Sequence, residues 1–206
     1  MPDVSGMGDA PSRPDAPDCP AVHCQPEHVR RGEHNVITVR QAQMEDATGI
    51  AIVNAYTWKT TYTGLVPDDV LDGRIDAVRS RAEQYRQEIS RGDKILVAVE
   101  EHTVVGFCTY GPSRDVDYPR AGEIYALYVL QGFQGMGLGR QLFRSAGKIL
   151  LAEGWRSMVI NCLSGNPSLG FYLRIGGQRV KCQQALIGGT QIEETMLFYA
   201  DLSRCL

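Results

Sequence analysis

No stretch of this chain reaches the roughly 18 consecutive apolar residues that a membrane-spanning helix needs, and its N-terminus carries neither a basic leader nor the apolar run of a secretory signal. An excess of one charge is missing too. The net charge is −3 over 206 residues and the basic side chains are scattered, so the field gives no reason to expect a nucleic acid or another polyanion as partner. Large apolar residues are scarce from residue 1 to 35, a segment that holds Pro2, Pro11, Pro14, Pro17, Pro20 and Pro26 out of ten prolines. Such a segment cannot bury enough surface to offset the entropy of ordering it. Residues 1–35 are therefore expected to form a disordered tail, followed by one domain over residues 36–206, for which the chain's 43% hydrophobic content suffices.

Six cysteines are spread through the sequence without the spacing of a disulfide framework, which suits reduced thiols in a soluble, cytoplasmic protein. Cys19, His23, Cys24 and His28 crowd four potential ligands into ten residues with no intervening loop, which fits zinc poorly. No metal is expected.

From Val36 the pattern changes. Val36 to Val39 reads as a strand, and Asp46 then caps a periodic run through Ile50, Ile52, Val53 and Tyr56 that reads as a helix. Pro67-Asp68-Asp69 opens a second helical stretch reaching Ile89 after a break near Gly73. Lys94 to Glu100 and Val104 to Tyr110 are β-rich runs separated by a hairpin-length loop, and Glu123 to Leu130 is a further strand. That strand leads into a glycine-rich turn and a helix from Gly137 to Glu153. Ser157 to Leu163 reads as a strand, Asn166 to Arg174 as a short helix, and Gln178 to Leu186 and Ile192 to Tyr199 as closing strands. The fold class is α/β in the α+β sense: a mixed, mostly antiparallel sheet with flanking helices.

The turn Gln134-Gly135-Met136-Gly137-Leu138-Gly139-Arg140 sits between strand and helix, where glycine N–H groups and the helix N-terminus converge on one volume suited to phosphate. Spacing separates the nucleotide readings. No Gly-Lys-Ser/Thr follows, so it is not a Walker loop. The dinucleotide pattern Gly-x-Gly-x-x-Gly fails from Gly135 at Arg140 and from Gly137 at Leu142.

Gln-x-x-Gly-x-Gly after a strand ending Leu-Tyr-Val resembles the GCN5-related N-acetyltransferase superfamily. The likeness extends to Gly-Glu-Ile-Tyr-Ala-Leu-Tyr-Val (122–129) and to Asn-Pro-Ser-Leu-Gly-Phe-Tyr-Leu-Arg-Ile-Gly-Gly (166–177), with Leu169 where the family has Ala and Gly177 where it has Phe. The resemblance implies an acyl-CoA N-acyltransferase fold whose fourth and fifth strands splay apart, and transfer of an acetyl group from acetyl-CoA to a primary amine in a ternary complex. It implies that main-chain N–H groups of Gln134, Gly135, Met136, Gly137, Leu138, Gly139 and Arg140 hold the diphosphate. Tyr128, Val129 and Leu130 would face the thioester arm, with the N–H of Val129 or Leu130 on its carbonyl oxygen. Asn166 would bind pantetheine amides, a position that equally suits an N-cap. Tyr172 would protonate the leaving thiolate, and Glu123 would serve as a base through water. Cys162 reads as core rather than nucleophile.

Trp58 to Pro67 resembles a Trp-x-x-x-Tyr-x-Gly-x-x-Pro segment of one bacterial branch, which would lie over the acceptor cleft. Trp58 and Tyr62, four residues apart, would line that pocket or meet an ammonium by cation-π attraction, and Asp115, Asp117 and Glu123 would add negative charge for a cationic amine. The expected partners are acetyl-CoA and an amine, with the protein a monomer or homodimer. The competing readings are a non-catalytic acyl-CoA sensor and an acyltransferase for a larger acyl group or a protein amine.

Overall fold

A computed structural model describes residues 27–31 and 35–205. The order is β1 (Glu27–Arg31), β2 (Asn35–Gln41), α1 (Ala47–Tyr62), α2 (Asp68–Asp76), α3 (Val78–Ser90), β3 (Ile95–Glu100), β4 (Thr103–Pro112), β5 (Gly122–Val129), α4 (Leu138–Ala152), β6 (Met158–Leu163), α5 (Ser168–Arg174), β7 (Gln178–Ile187) and β8 (Thr190–Tyr199), with short 3-10 turns between some of them. The strands form one sheet in the order β1-β2-β3-β4-β5-β6-β8-β7. Neighbours run antiparallel except β5 and β6, which are parallel because α4 carries the chain back across the sheet.

β1 falls inside the segment expected to be a disordered tail and pairs with β2 from Glu27↔Val39 to Arg31↔Asn35. Main-chain pairing of this kind is not visible in composition. The rest of that segment, residues 1–26 and 32–34, lies outside the described residues, as do Cys19, His23 and Cys24. No helix among the described residues is long and apolar enough to cross a membrane.

Helices cover both faces of the sheet, which is why β3 is buried along nearly its whole length instead of alternating. On one face α4 lays Leu138, Leu142, Phe143, Ala146 and Leu150 onto Leu96, Val105, Ile124 and Ile160. These positions recur at three- and four-residue spacing, one stripe of a helix. Leu142→Ala would cost about 2–5 kcal/mol there. On the other face α1 and α3 pack Ile50, Val53, Ala82 and Tyr85 against Val97 and Phe107.

Two local expectations change. Asp46 does not cap α1 with its side chain; it closes the turn before it, accepting the Gln43 N–H at 2.7 Å and a bidentate pair from Arg40 at 2.6 and 3.0 Å. The second helical stretch breaks at Ala77, between α2 and α3, not at Gly73. Gly73 is exposed with nothing crowding it, so the helix runs through at only the usual glycine cost.

The site is opened by an irregularity in β5. Its pairing with β4 runs Thr109↔Ala126 and then Tyr110↔Ile124, leaving Tyr125 as the extra residue of a bulge. A bulge bends its strand and ends regular pairing. Parallel pairing of β5 with β6 stops there, at Ile124↔Ile160, and the ends of the two strands diverge.

Candidate active site

The divergence leaves a cavity of about 550 Å³ between the ends of β5 and β6, roofed by α5 and the start of α4 and reached by the end of α1. Its size suits the arm of a cofactor together with a small second substrate.

At one end lies the glycine turn. Gly135 and Gly137 have φ of +76° and +85°, the left-handed region, and a Cβ at either would meet nothing within 4 Å. The turn is strained for any other residue and open toward the cavity. The first closed turn of α4 is Gln141 N–H to the Gly137 carbonyl at 3.0 Å, so the N–H groups of Leu138, Gly139 and Arg140 precede it and point out of the helix start. Arg140 and Arg174 line the same end and add positive charge. Main-chain donors at a helix start are the kind of group that suits an anion, and they need no particular side chain at Leu138, which is buried in the core, or at Met136, which packs against it. Gln134 departs from its expected part. Its N–H is occupied by the Gln131 carbonyl at 3.2 Å, and its Nε2 donates to the Val129 carbonyl at 2.9 Å, so it braces the turn against the strand.

Along β5 the two oxyanion candidates separate. Leu130 N–H donates to the Val105 carbonyl at 2.9 Å and is not available. Because N–H groups alternate sides along a strand, that of Val129 points away from β4, into the splay. Tyr128 contributes a cavity wall, and its hydroxyl accepts from Trp58 Nε1 at 2.9 Å. Burial pushes the Tyr128 phenol up to about 12.

Tyr172 on α5 and Asn166 in the turn before it both line the cavity. Asn166 is not the N-cap of α5, which is Pro167; its Oδ1 accepts the Ser168 N–H at 2.8 Å and closes the turn into the helix, while Nδ2 donates to the Tyr62 hydroxyl at 2.9 Å. Tyr172 is 5% exposed, and burial holds its phenol well above the ordinary tyrosine range. Cys162 also lines the cavity, but burial drives its thiol up to about 12, far from a nucleophilic thiolate at neutral pH.

The acceptor side differs from expectation in three ways. Trp58 does not line the cavity, and the Arg74 guanidinium covers its ring at 3.5 Å, so that face is closed to a substrate ammonium. Tyr62 does line it, 4.7 Å from the Trp58 ring. Glu123 is 2% exposed and lies outside the cavity wall, with Oε2 accepting the Arg114 N–H at 2.8 Å and Oε1 accepting from the guanidinium at 2.6 and 3.2 Å. Asp115 and Asp117 are both paired with Lys181, at 3.1 and 2.8 Å, and do not reach the cavity. Glu123 is thus placed as a brace, and the negative patch expected for a cationic amine is neutralised.

Sequence reading passed over Thr57, Asn161 and Arg174, all in the cavity wall. Each carried a signal. Thr57 interrupts the apolar face of α1, Asn161 stands within the buried run Met158–Leu163, and Arg174 follows Tyr172 at the close of α5.

A mixed sheet whose parallel pair β5 and β6 splays apart beside a glycine turn at a helix start is the architecture of the acyl-CoA N-acyltransferase fold. The chain matches the Acetyltransferase (GNAT) family over residues 58–177, and it belongs to that family. It is 33% identical over 169 residues to the uncharacterized N-acetyltransferase YuaI of Bacillus subtilis (strain 168), covering 82% of this chain and 95% of the relative. It is 29% identical over 142 residues to the L-amino acid N-acyltransferase MnaT of Escherichia coli (strain K12), covering 66% and 79%. The solved structure of the PaiA N-acetyltransferase of Thermoplasma acidophilum in complex with coenzyme A shares the fold, with a TM-score of 0.62 at 22% identity over 77% of this chain and 97% of that one.

Proposed function

We propose that this N-acetyltransferase moves the acetyl group of acetyl-CoA directly to a primary amine within the cavity between β5 and β6. The observation that carries the reading is the Val129 N–H, turned into the splay beside a main-chain diphosphate cradle. That N–H meets the thioester oxygen where negative charge grows as the amine attacks, the point at which a preorganised donor acts most strongly. The amine nitrogen bonds to the carbonyl carbon, the C–S bond breaks, and the amine's proton leaves to solvent. Tyr172 donates a hydrogen bond to the departing sulfur, and Cys162, held as a thiol, takes no covalent part.

With the Glu123 carboxylate held by Arg114, the amine enters as the free base. For an alkylammonium of pKa about 10.4 this costs roughly 4–5 kcal/mol at pH 7. A small molecule carrying the amine fits a cavity of about 550 Å³ that the cofactor arm must share, and the name of the Escherichia coli relative points the same way.

Calorimetry with acetyl-CoA, followed by thiol release in a panel of amines, tests the reading. Saturable binding with amine-dependent release is expected; binding without release in any amine would make the protein a sensor and refute the catalytic assignment.

A further inference from the structure

A second cavity, of about 450 Å³, has Arg140, Arg144, Arg174 and Arg204 in its wall. Arg140 and Arg174 also line the cavity between β5 and β6, so the two spaces adjoin at the start of α4. Guanidinium groups gathered around one space repel one another unless something negative sits among them. The only acid in this wall is Asp201, whose Oδ1 accepts the Ser203 N–H at 3.0 Å and the Ser203 hydroxyl at 2.6 Å. Those bonds hold its carboxyl below the usual range, so it stays charged and leaves four cations facing one anion. Cys205, also in the wall, is pushed up by burial and is a neutral thiol at pH 7. Arg204 meets Asp201 only at 4.0 Å on an exposed surface, a pair worth little. Arg140, Arg144 and Arg174 form no ion pair among the described residues.

The fold sets where these side chains stand. Arg140 and Arg144, four residues apart, share one face of α4, and Arg140 lies in its first turn, where the helix dipole disfavours a cation. The dipole accounts for Arg174 at the close of α5 and works against Arg140. Arg204 comes from the turn Leu202–Arg204 after β8, beyond the residues 58–177 shared with the family. Leu202 is fully buried in the core with α4, and its N–H donates to the Arg156 carbonyl at 2.9 Å, so the turn is anchored where it carries Arg204 to the arginines of α4.

Guanidinium forks match the oxygens of a phosphate, and several forks around one space favour a phosphate monoester, which carries nearly two negative charges at pH 7. Acetyl-CoA has one such group, on the 3′ oxygen of its ribose, one sugar away from the diphosphate. A separate phosphate offers the same chemistry, but two arginines common to both cavities favour a group on the same molecule.

We propose that Arg144 and Arg204, with Arg140 and Arg174 at the junction, form a site for a phosphate monoester, filled by the ribose 3′-phosphate of coenzyme A, and that the protein thereby discriminates against the 3′-dephospho cofactor. This rests on the acetyl-CoA reading above and extends it beyond the diphosphate.

The test is calorimetry on the full chain with coenzyme A, 3′-dephospho-coenzyme A and inorganic phosphate. The wild type is expected to bind coenzyme A at least tenfold more tightly than the dephospho form. The double variant Arg144→Gln, Arg204→Gln should bring that ratio to within about threefold by weakening coenzyme A alone, with the dephospho Kd within twofold of wild type. Its Tm should hold, since both side chains lie on the surface. A wild-type ratio below tenfold, or a double variant that weakens both forms alike or neither, would overturn the proposal. Binding of inorganic phosphate to the protein already saturated with coenzyme A would assign the arginines to a separate anion and overturn it as well. Failure of both forms to bind would refute the acetyl-CoA reading itself, whereas equal binding of both would leave that reading standing and remove only this site.

Discussion

Replacing Tyr172 by Phe isolates what one hydroxyl does for the departing sulfur. An ordinary phenol has a pKa of about 10 and a thiol about 8.5, so complete proton transfer is already uphill by roughly 2 kcal/mol. Burial holds Tyr172 higher still, which makes the transfer harder. The hydroxyl therefore keeps its proton and donates a hydrogen bond to a sulfur that carries growing negative charge. Such a bond to an ionised group is worth about 1.5–3 kcal/mol, or a fall of roughly 10- to 150-fold in kcat when it is lost. Phe keeps the ring, which lies 5.1 Å from Phe171, and the Tyr172 carbonyl keeps its bond from the Tyr199 hydroxyl at 3.0 Å. Thiol release with both substrates saturating gives kcat, and calorimetry gives the acetyl-CoA Kd, expected within twofold of wild type. The wild-type rate should also show no decline attributable to Tyr172 as pH rises to about 10. A variant with wild-type kcat would remove the hydroxyl from the mechanism, and a loss beyond about 10⁴-fold would mean that it does far more than hydrogen-bond.

Gly137→Val forces a β-branched residue to φ +85° and fills the open cradle, so acetyl-CoA Kd should rise at least tenfold and Tm should fall; unchanged affinity by calorimetry would place the diphosphate elsewhere. Cys162→Ala should retain kcat within about threefold, and Cys162 in the wild type should resist alkylation at pH 7.5 by mass spectrometry, because its thiol is pushed up to about 12. Glu123→Gln separates brace from base: a catalytic base would lose 10²–10⁴-fold in kcat, whereas a brace tied to Arg114 should lower Tm and leave kcat within about tenfold. Burial raises the Tyr128 pKa to about 12 from an ordinary 10, so the native state holds that proton more tightly than the unfolded state does. The associated stability is fully present below pH 10 and lost as pH rises to 12, about 3 kcal/mol in all. Urea midpoints should fall across that window and fall less steeply in Tyr128→Phe.

How much of this was legible depends on which part of the chain carries the chemistry. The glycine turn between β5 and α4 was legible because left-handed backbone at Gly135 and Gly137 demands glycine at fixed positions, and spacing set aside two other phosphate loops before the resemblance named a third. The strands were legible from β-rich runs of the right length. Reading failed where tertiary contacts decide. Leu130 and Val129 are equivalent in sequence until β4 takes one N–H and leaves the other. Glu123 was singled out by resemblance, as a carboxylate on the strand leading into the glycine turn, and nothing in the local sequence shows what it pairs with. Arg114 then closes over that carboxylate from a loop nine residues away. The cavity wall draws on α1, β5, β6 and α5, and no single stretch of sequence contains it.

The departure at Gly177 shows how a changed motif position can still serve the same tyrosine. A Cβ at residue 177 would stand 2.9 Å from the Tyr172 carbonyl oxygen and 2.9 Å from the Tyr199 hydroxyl, closer than real side chains approach. The space a side chain would need is filled by Tyr199, whose hydroxyl bonds the Tyr172 carbonyl at 3.0 Å, while Gly177 N–H bonds the same oxygen at 3.0 Å. Both donors grip the last turn of α5 at the residue whose side chain enters the cavity, and the Tyr199 ring packs 5.1 Å from Phe143 of α4. β8 thereby ties the helix that carries Tyr172 to the helix that begins at the cradle. The space beside Gly177 is occupied by the Tyr199 ring reaching in from β8, and Tyr199 with the Gly177 N–H holds the main chain at Tyr172.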